Sequence, residues 1–185
     1  MVHNNISISN GRVFLREIIE SDWNDIHEYA SQEMVCQYQP WGPNTIEDTK
    51  NFVNQIMEEA NNEKLRTRYV FAIIEKANKR LIGAGEFNIR DSFNRNGEIA
   101  YIVNPKYWGK GIATEVANLI IDYGFKEHKM HRIFATCDPR NIGSSKVLQK
   151  VGMIQEGKIR EDLLIKDGWR DSLLYSILKH EWQIL

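Results

Sequence analysis

Apolar and polar positions alternate along this chain in blocks that change period several times. Residues 6–8 and 13–18 are apolar-rich runs around Ser9-Asn10-Gly11 and predict a first hairpin or one bent strand. Ser21 stands where a helix cap belongs, with Asp22 and Asp25 in the favourable first turn of a helix running to Ala30. Thr45 with Asp48 three residues on forms a capping-box pattern. The helix it opens reaches about Ala60 and buries Phe52, Val53, Ile56 and Met57. Residues 69–74 and 81–89 read as antiparallel strands joined by a polar turn at 76–79, and residues 91–97 turn into a further strand at 97–103. Ile112, Val116, Leu119, Ile120 and Tyr123 then recur at helical spacing. Residues 132–136 form a short strand, and residues 143–151 a helix that stops at Gly152. Residues 153–165 and 169–178 pair as a last hairpin across 166–168. The order β-α-α-β-β-β-α-β-α-β-β implies an α+β sheet with helices on both faces. No repeat, low-complexity tract or linker divides the chain, so residues 1–185 are expected to form a single domain.

Composition narrows the classes of function. The 42% hydrophobic content suffices for a packed core, and no apolar run is long enough to cross a bilayer. The opening residues Met1 to Ser7 lack the basic start and apolar stretch of a secretory signal. Lys plus Arg total 24 against 25 for Asp plus Glu, a net charge of -1, which provides no basic footprint for nucleic acid. Cys36 and Cys137 are far apart and read as reduced thiols of a cytoplasmic protein. The five histidines are scattered without ligand spacing, so no metal site is expected.

One stretch carries chemistry. Asn104-Pro-Lys-Tyr-Trp-Gly-Lys-Gly-Ile-Ala-Thr114 lies between the strand at 97–103 and the following helix. The first amides of a helix lack internal partners and sit at the positive end of its dipole, so they bind anions. Gly109 and Gly111 allow a phosphate close to the backbone, and Lys110 adds a positive charge. Neither a Walker loop nor a dinucleotide fingerprint fits, since Gly109-Lys110-Gly111 lacks their remaining positions. A plain strand-helix turn remains the alternative at this point.

The residues from Glu98 to Gly157 resemble the GNAT N-acetyltransferase superfamily. The resemblance narrows to the branch of RimJ/RimL-like ribosomal-protein N-terminal acetyltransferases. Its marks are Lys106-Tyr-Trp-Gly-Lys-Gly111, in place of Gln/Arg-x-x-Gly-x-Gly/Ala, and Asn141-Ile-Gly-Ser-Ser-Lys-Val-Leu-Gln-Lys-Val-Gly-Met153. Gly11-Arg-Val-Phe-Leu-Arg16 and Pro40-Trp41 also fit. Lysine at 106 departs from the usual residue but keeps a long cationic side chain. The resemblance implies a mixed, mostly antiparallel sheet of six to seven strands. Its activity would be transfer of an acetyl group from acetyl-CoA to a primary amine by direct attack in a ternary complex.

The same resemblance distributes the roles. Gly109, Lys110, Gly111, Ile112, Ala113 and Thr114 would hold the pyrophosphate, and Tyr101, Ile102 and Val103 would pair with the pantetheine arm. Asn141 would bond the cofactor or acceptor, although a cap or turn residue fits the pattern equally. The tyrosine that many relatives carry seven residues later is Leu148 here. In the RimJ/RimL-like branch the serine of this motif is the candidate proton donor to the coenzyme A sulfur, so the resemblance gives that role to Ser144, the alternative being a helix-start serine. Lys146 and Arg140 are candidates for the adenosine 3′-phosphate, against a solvated surface role. For the general base, Glu98 and Glu86 are carboxylates within strands, where edge exposure is the plainer reading. Tyr38, Trp41 and Phe87 could wall the acceptor site. The acceptors implied are a peptide N-terminus, a polyamine or an aminoglycoside-like amine. For a polycation, Glu17, Glu20, Asp22, Asp25, Glu28 and the Glu47-Asp48 pair are candidate contacts. No nucleic acid or membrane partner is implied, and a homodimer is left open. The rival from another class is a non-catalytic acyl-CoA-binding module, favoured only by the missing tyrosine.

Overall fold

The computed structural model describes residues 6–62 and 66–182; the opening residues read above for a secretory signal lie outside them up to residue 5. Eight strands form one sheet in the order β1-β2-β3-β4-β5-β6-β8-β7. They are β1 (Ser7–Asn10), β2 (Val13–Glu17), β3 (Arg68–Glu75), β4 (Leu81–Asp91), β5 (Asn96–Val103), β6 (Arg132–Cys137), β7 (Ile154–Ile165) and β8 (Gly168–Leu178). The helices are α1 (Trp23–Ala30), α2 (Glu33–Cys36), α3 (Ile46–Asn61), α4 (Ile112–Lys126), α5 (Ile142–Lys150) and α6 (Lys179–Trp182). Eight strands replace the expected six to seven because the first apolar runs make two strands across a turn at Gly11, whose φ is 52°. Among the described residues, no helix is long and apolar enough to cross a membrane.

Local chemistry accounts for most boundaries. Thr45 Oγ1 accepts the Asp48 amide at 3.1 Å while Asp48 accepts the Thr45 amide at 2.9 Å, closing the expected capping box of α3. Ser21, expected to cap α1, instead lies inside a 3-10 turn at Glu20–Asp22. Asp22 is the N-cap residue of α1 without a side-chain cap bond; its carboxylate instead accepts the Ile19 amide at 2.9 Å and the two terminal guanidinium nitrogens of Arg16 at 2.7 Å. These charge-assisted bonds outcompete what a neutral serine could offer.

Side-chain alternation divides the core. Val13, Leu15, Phe71, Ile73, Phe87, Ile99 and Tyr175 pack with α4 and α5 on one face, while Val70, Ala72, Ile74 and Leu81 pack with α1 and α3 on the other. Residues 70–74 of β3 are thus buried on both faces, which explains their unbroken apolar run. Each such Phe, Ile or Leu contributes about 1.5–3 kcal/mol of burial.

All neighbouring strands are antiparallel except β5 and β6, joined by the α4 crossover. Their parallel pairing covers only Asn96↔Arg132, Gly97↔Ile133 and Glu98↔Phe134. Beyond Glu98, β5 stays with β4 as far as Gly83↔Val103, and β6 stays with β8 as far as Cys137↔Leu173. The sheet therefore forks, and beyond the Ile99 amide, which the Glu98↔Phe134 bridge keeps in the β5–β6 ladder, β5 carries a free backbone edge facing the gap. Because α4 follows β5 and α5 follows β6, the start of each helix lies at the mouth of that fork.

Candidate active site

The turn between β5 and α4 is held open by its own backbone. Asn104 Oδ1 accepts the Lys106 amide at 3.1 Å, and the Trp108 indole donates to the Val103 carbonyl at 2.6 Å. Gly109 and Gly111 both adopt left-handed φ, 72° and 79°. Gly111 is the N-cap of α4 and provides no side-chain cap, so the first-turn amides up to Thr114 lack side-chain acceptors. A Cβ on Gly109 would meet nothing within 4 Å, leaving open space beside those amides. A residue that the sequence did not single out supports the turn. Arg12 donates from Nη2 to the Lys110 carbonyl and from Nε to Glu115 Oε1, each at 2.7 Å. Its only signal was membership of the Gly11-to-Arg16 segment. Lys106, the cation of the expected motif, points elsewhere, its Nζ lying 2.6 Å from Glu28 Oε1 of α1.

Backbone alternation sorts the three expected pantetheine contacts. The Asn104 amide donates back to Ile82 of β4 at 2.8 Å, so residues 100, 102 and 104 turn their backbone groups towards β4. Ile102 is therefore corrected: its amide and carbonyl belong to the β4 ladder. Tyr101 and Val103 face the gap, though the Val103 carbonyl is occupied by Trp108, and the Ile99 amide is the last to pair with β6.

On the other side of the gap, Asn141 Oδ1 accepts the Ser144 amide at 3.0 Å and caps α5. The cap places Ser144 in the first turn, where its Oγ lies 3.3 Å from the Tyr101 hydroxyl. Leu148 is buried in the core. Lys146 is exposed and forms no ion pair among the described residues. Arg140 is bound to Asp138 through Nε at 3.0 Å and Nη2 at 2.7 Å, so it is committed within the loop. Burial pushes the Cys137 thiol up to about 11, which leaves it protonated and unsuited to carry an acyl group.

The two strand carboxylates lie on the opposite face of β4 and β5 from Tyr101. Glu86 is held by Arg68 in a two-pronged pair at 2.9 Å and accepts from Asn88 at 2.7 Å. Glu98 meets Arg90 through a 2.5 Å bond. Burial raises the Glu98 carboxyl above the ordinary range, outweighing the Arg90 charge that lowers it. That burial does not come from Phe87 and Tyr101, which alternate to the other face. Phe87 also drops out of the expected acceptor wall, since it is fully buried among Tyr69, Tyr123 and His128. Tyr38 stays near the site, its hydroxyl 3.5 Å from the Arg140 carbonyl, and Trp41 is partly exposed. Most of the acidic residues considered for a polycation have internal partners. Glu17 pairs with Arg66, Asp22 with Arg16, Asp25 with Arg80, Glu28 with Arg80 and Lys106, and Asp48 with Thr45. Among the described residues, no group of three or more His, Cys, Asp or Glu could hold a metal ion.

A family model for the acetyltransferase (GNAT) domain matches residues 12–154. The uncharacterized N-acetyltransferase YnaD of Bacillus subtilis is 39% identical over 95% of this chain and 98% of its own. A GNAT-family acetyltransferase crystal structure from Bacillus anthracis superposes with a TM-score of 0.84 at 36% identity, covering 95% of this chain and 99% of that one. More distant are the spermidine N(1)-acetyltransferase of Escherichia coli, 25% identical over 92% of this chain and 88% of its own, and the [ribosomal protein uS5]-alanine N-acetyltransferase, 30% identical over 64% and 62%. This chain belongs to the GNAT acetyltransferase family and is an acyltransferase.

Proposed function

We propose that this protein transfers the acetyl group of acetyl-CoA to the α-amine of a peptide, with both substrates bound at once in the fork between β5 and β6. The observation that carries the reading is the free edge of β5 leading directly to the uncapped start of α4. An extended pantetheine arm can add to that edge as a strand would, and the pyrophosphate then falls on the amides of residues 109–114. On that edge the arm would meet the gap-facing amides of Tyr101 and Val103.

The two faces of the sheet divide the chemistry. The amine nitrogen attacks the thioester carbonyl carbon, the C–S bond breaks, and the departing sulfur needs a proton. Ser144, on the α5 side, supplies that proton or a hydrogen bond in its place. Glu98, on the α3 side, receives the proton lost by the attacking ammonium through a bridging water, with Glu86 as the rival. Glu86 is the poorer choice because Arg68 and Asn88 already occupy its oxygens. The pairing of most of the acidic residues argues against a polycation-binding pocket. An α-amine also has a pKa near 7.7–8.0, so a carboxylate relay need move only a modest free energy.

Thiol release from acetyl-CoA, measured against Ala- and Ser-initiated peptides, spermidine and an aminoglycoside, tests the reading. Turnover with a peptide is expected. Turnover with spermidine alone would overturn the acceptor and keep the transfer reaction. Coenzyme A binding without turnover on any amine would leave a non-catalytic acyl-CoA-binding module.

A further inference from the structure

A serine hydroxyl is a weak acid, and the position that carries a tyrosine in many relatives is the buried Leu148. Ser144 is nevertheless not alone. The Tyr101 hydroxyl lies 3.3 Å from Ser144 Oγ and 3.4 Å from the Ser144 carbonyl oxygen. Strand β5 and helix α5 thus bring two hydroxyls together at the mouth of the fork. Burial raises the Tyr101 phenol, so it stays protonated across the working range and its O–H remains able to donate. A hydroxyl can accept one hydrogen bond while donating another, so Ser144 Oγ is able to stand between a donor and an acceptor.

We propose that Tyr101 is the proton source behind Ser144, a role that rests on the assignment of Ser144 to the leaving sulfur. As the C–S bond breaks, Ser144 Oγ–H passes its proton to sulfur and Tyr101 Oη–H passes its own to Ser144 Oγ. One S–H bond is formed, the serine hydroxyl is restored, and a phenolate remains. Solvent returns a proton to that phenolate once the products leave. The proton taken from the amine leaves on the opposite face through Glu98, so the two transfers do not compete. Tyr101 acts through Ser144 and need not touch the substrate. Its ring meanwhile packs against the α4 side of the core, which explains how the hydroxyl is held in place.

Tyr101→Phe keeps the ring and removes only the hydroxyl. In the full-length protein it is expected to lower kcat roughly 10- to 100-fold, the range for losing a hydrogen bond to a developing charge, with acetyl-CoA affinity within about two-fold of wild type. Ser144→Ala should lower kcat at least as much, and the double variant should be no slower than Ser144→Ala. A proton inventory of kcat in mixed light and heavy water should curve in wild type and become linear in Tyr101→Phe, a change that lost packing alone would not produce. Wild-type kcat in Tyr101→Phe, with Ser144→Ala slow, overturns the relay and leaves Ser144 in place. Wild-type kcat in Ser144→Ala, with Tyr101→Phe slow, overturns both the relay and the serine assignment. Additive losses in the double variant also overturn it, since the two hydroxyls would then act independently.

Discussion

The cap that Asn141 forms and the cofactor contact proposed for it can be separated by one substitution series. Asn141 Oδ1 caps α5 by accepting the Ser144 amide at 3.0 Å, and its NH2 group has no partner among the described residues. Asn141→Ala removes the cap of a nine-residue helix, which costs about 1 kcal/mol within a range of about 0.5–2. For a chain of this size that lowers Tm by roughly 2–4 °C per kcal/mol. Asn141→Asp keeps the acceptor, and its charge suits a helix N-terminus, so its stability should stay within about 0.5 kcal/mol of wild type. The two variants should differ in binding as well. If the NH2 donates to bound cofactor, Asn141→Asp loses that donor, worth about 0.5–1.5 kcal/mol, or roughly 2- to 12-fold in affinity. Thermal melting and calorimetry with coenzyme A measure both quantities. A stable Asn141→Asp that binds coenzyme A as tightly as wild type would refute the ligand role and leave Asn141 as a cap.

Gly111→Val should abolish coenzyme A binding, and because φ is 79° it should also cost about 1–2 kcal/mol of stability, contrary to a purely steric expectation; unchanged calorimetric affinity in the folded variant would remove the pyrophosphate from this turn. Arg12→Ala removes a half-exposed pair and the bond to the Lys110 carbonyl, so acetyl-CoA should bind a few-fold more weakly, about 1 kcal/mol, while the acceptor KM stays unchanged. Glu98 must be ionised to act, and burial raises its carboxyl, so kcat/KM should rise with pH through a limb above the ordinary carboxylate range and lose that limb in Glu98→Gln. The stability sign follows from the same shift: the folded state favours the protonated form, so wild type loses stability relative to Glu98→Gln as pH climbs from the ordinary carboxylate range through the raised value. If Glu86→Gln alone removes the limb, the two carboxylates exchange roles, and if neither does, the amine enters already neutral.

Short-range chemistry was legible in the sequence and long-range geometry was not. The capping box at Thr45 and Asp48, the glycine turn before α4 and the last hairpin depend on residues close together in the chain. The helix α2, at Glu33–Cys36, is a single turn with no room for a period to show. Ser21 looked like a cap because the pattern could not reveal that Asp22 would recruit Arg16 from β2. The fork is a matter of where pairing between β5 and β6 ends, which leaves no local trace in either strand. The same holds for the site. Ser144, Glu98 and residues 109–114 could be nominated from motifs, whereas the Arg12 brace, the Tyr101–Ser144 contact and the pairing of Arg140 with Asp138 arise from tertiary neighbours or loop geometry. Ile102 illustrates the limit most sharply. It belongs to the strand nominated for the pantetheine arm, and the register turns its backbone away from the gap.

That register makes the central claim measurable amide by amide. Hydrogen exchange followed by NMR, with and without coenzyme A, reads which backbone groups the cofactor covers. Binding in the fork should slow exchange at the gap-facing amides of Tyr101 and Val103 and across residues 109–114, with Ile99 little changed because β6 already holds its amide and Ala100 and Ile102 little changed because β4 holds theirs. Coenzyme A that binds while leaving Tyr101 and Val103 exchanging at their free rates would contradict the account.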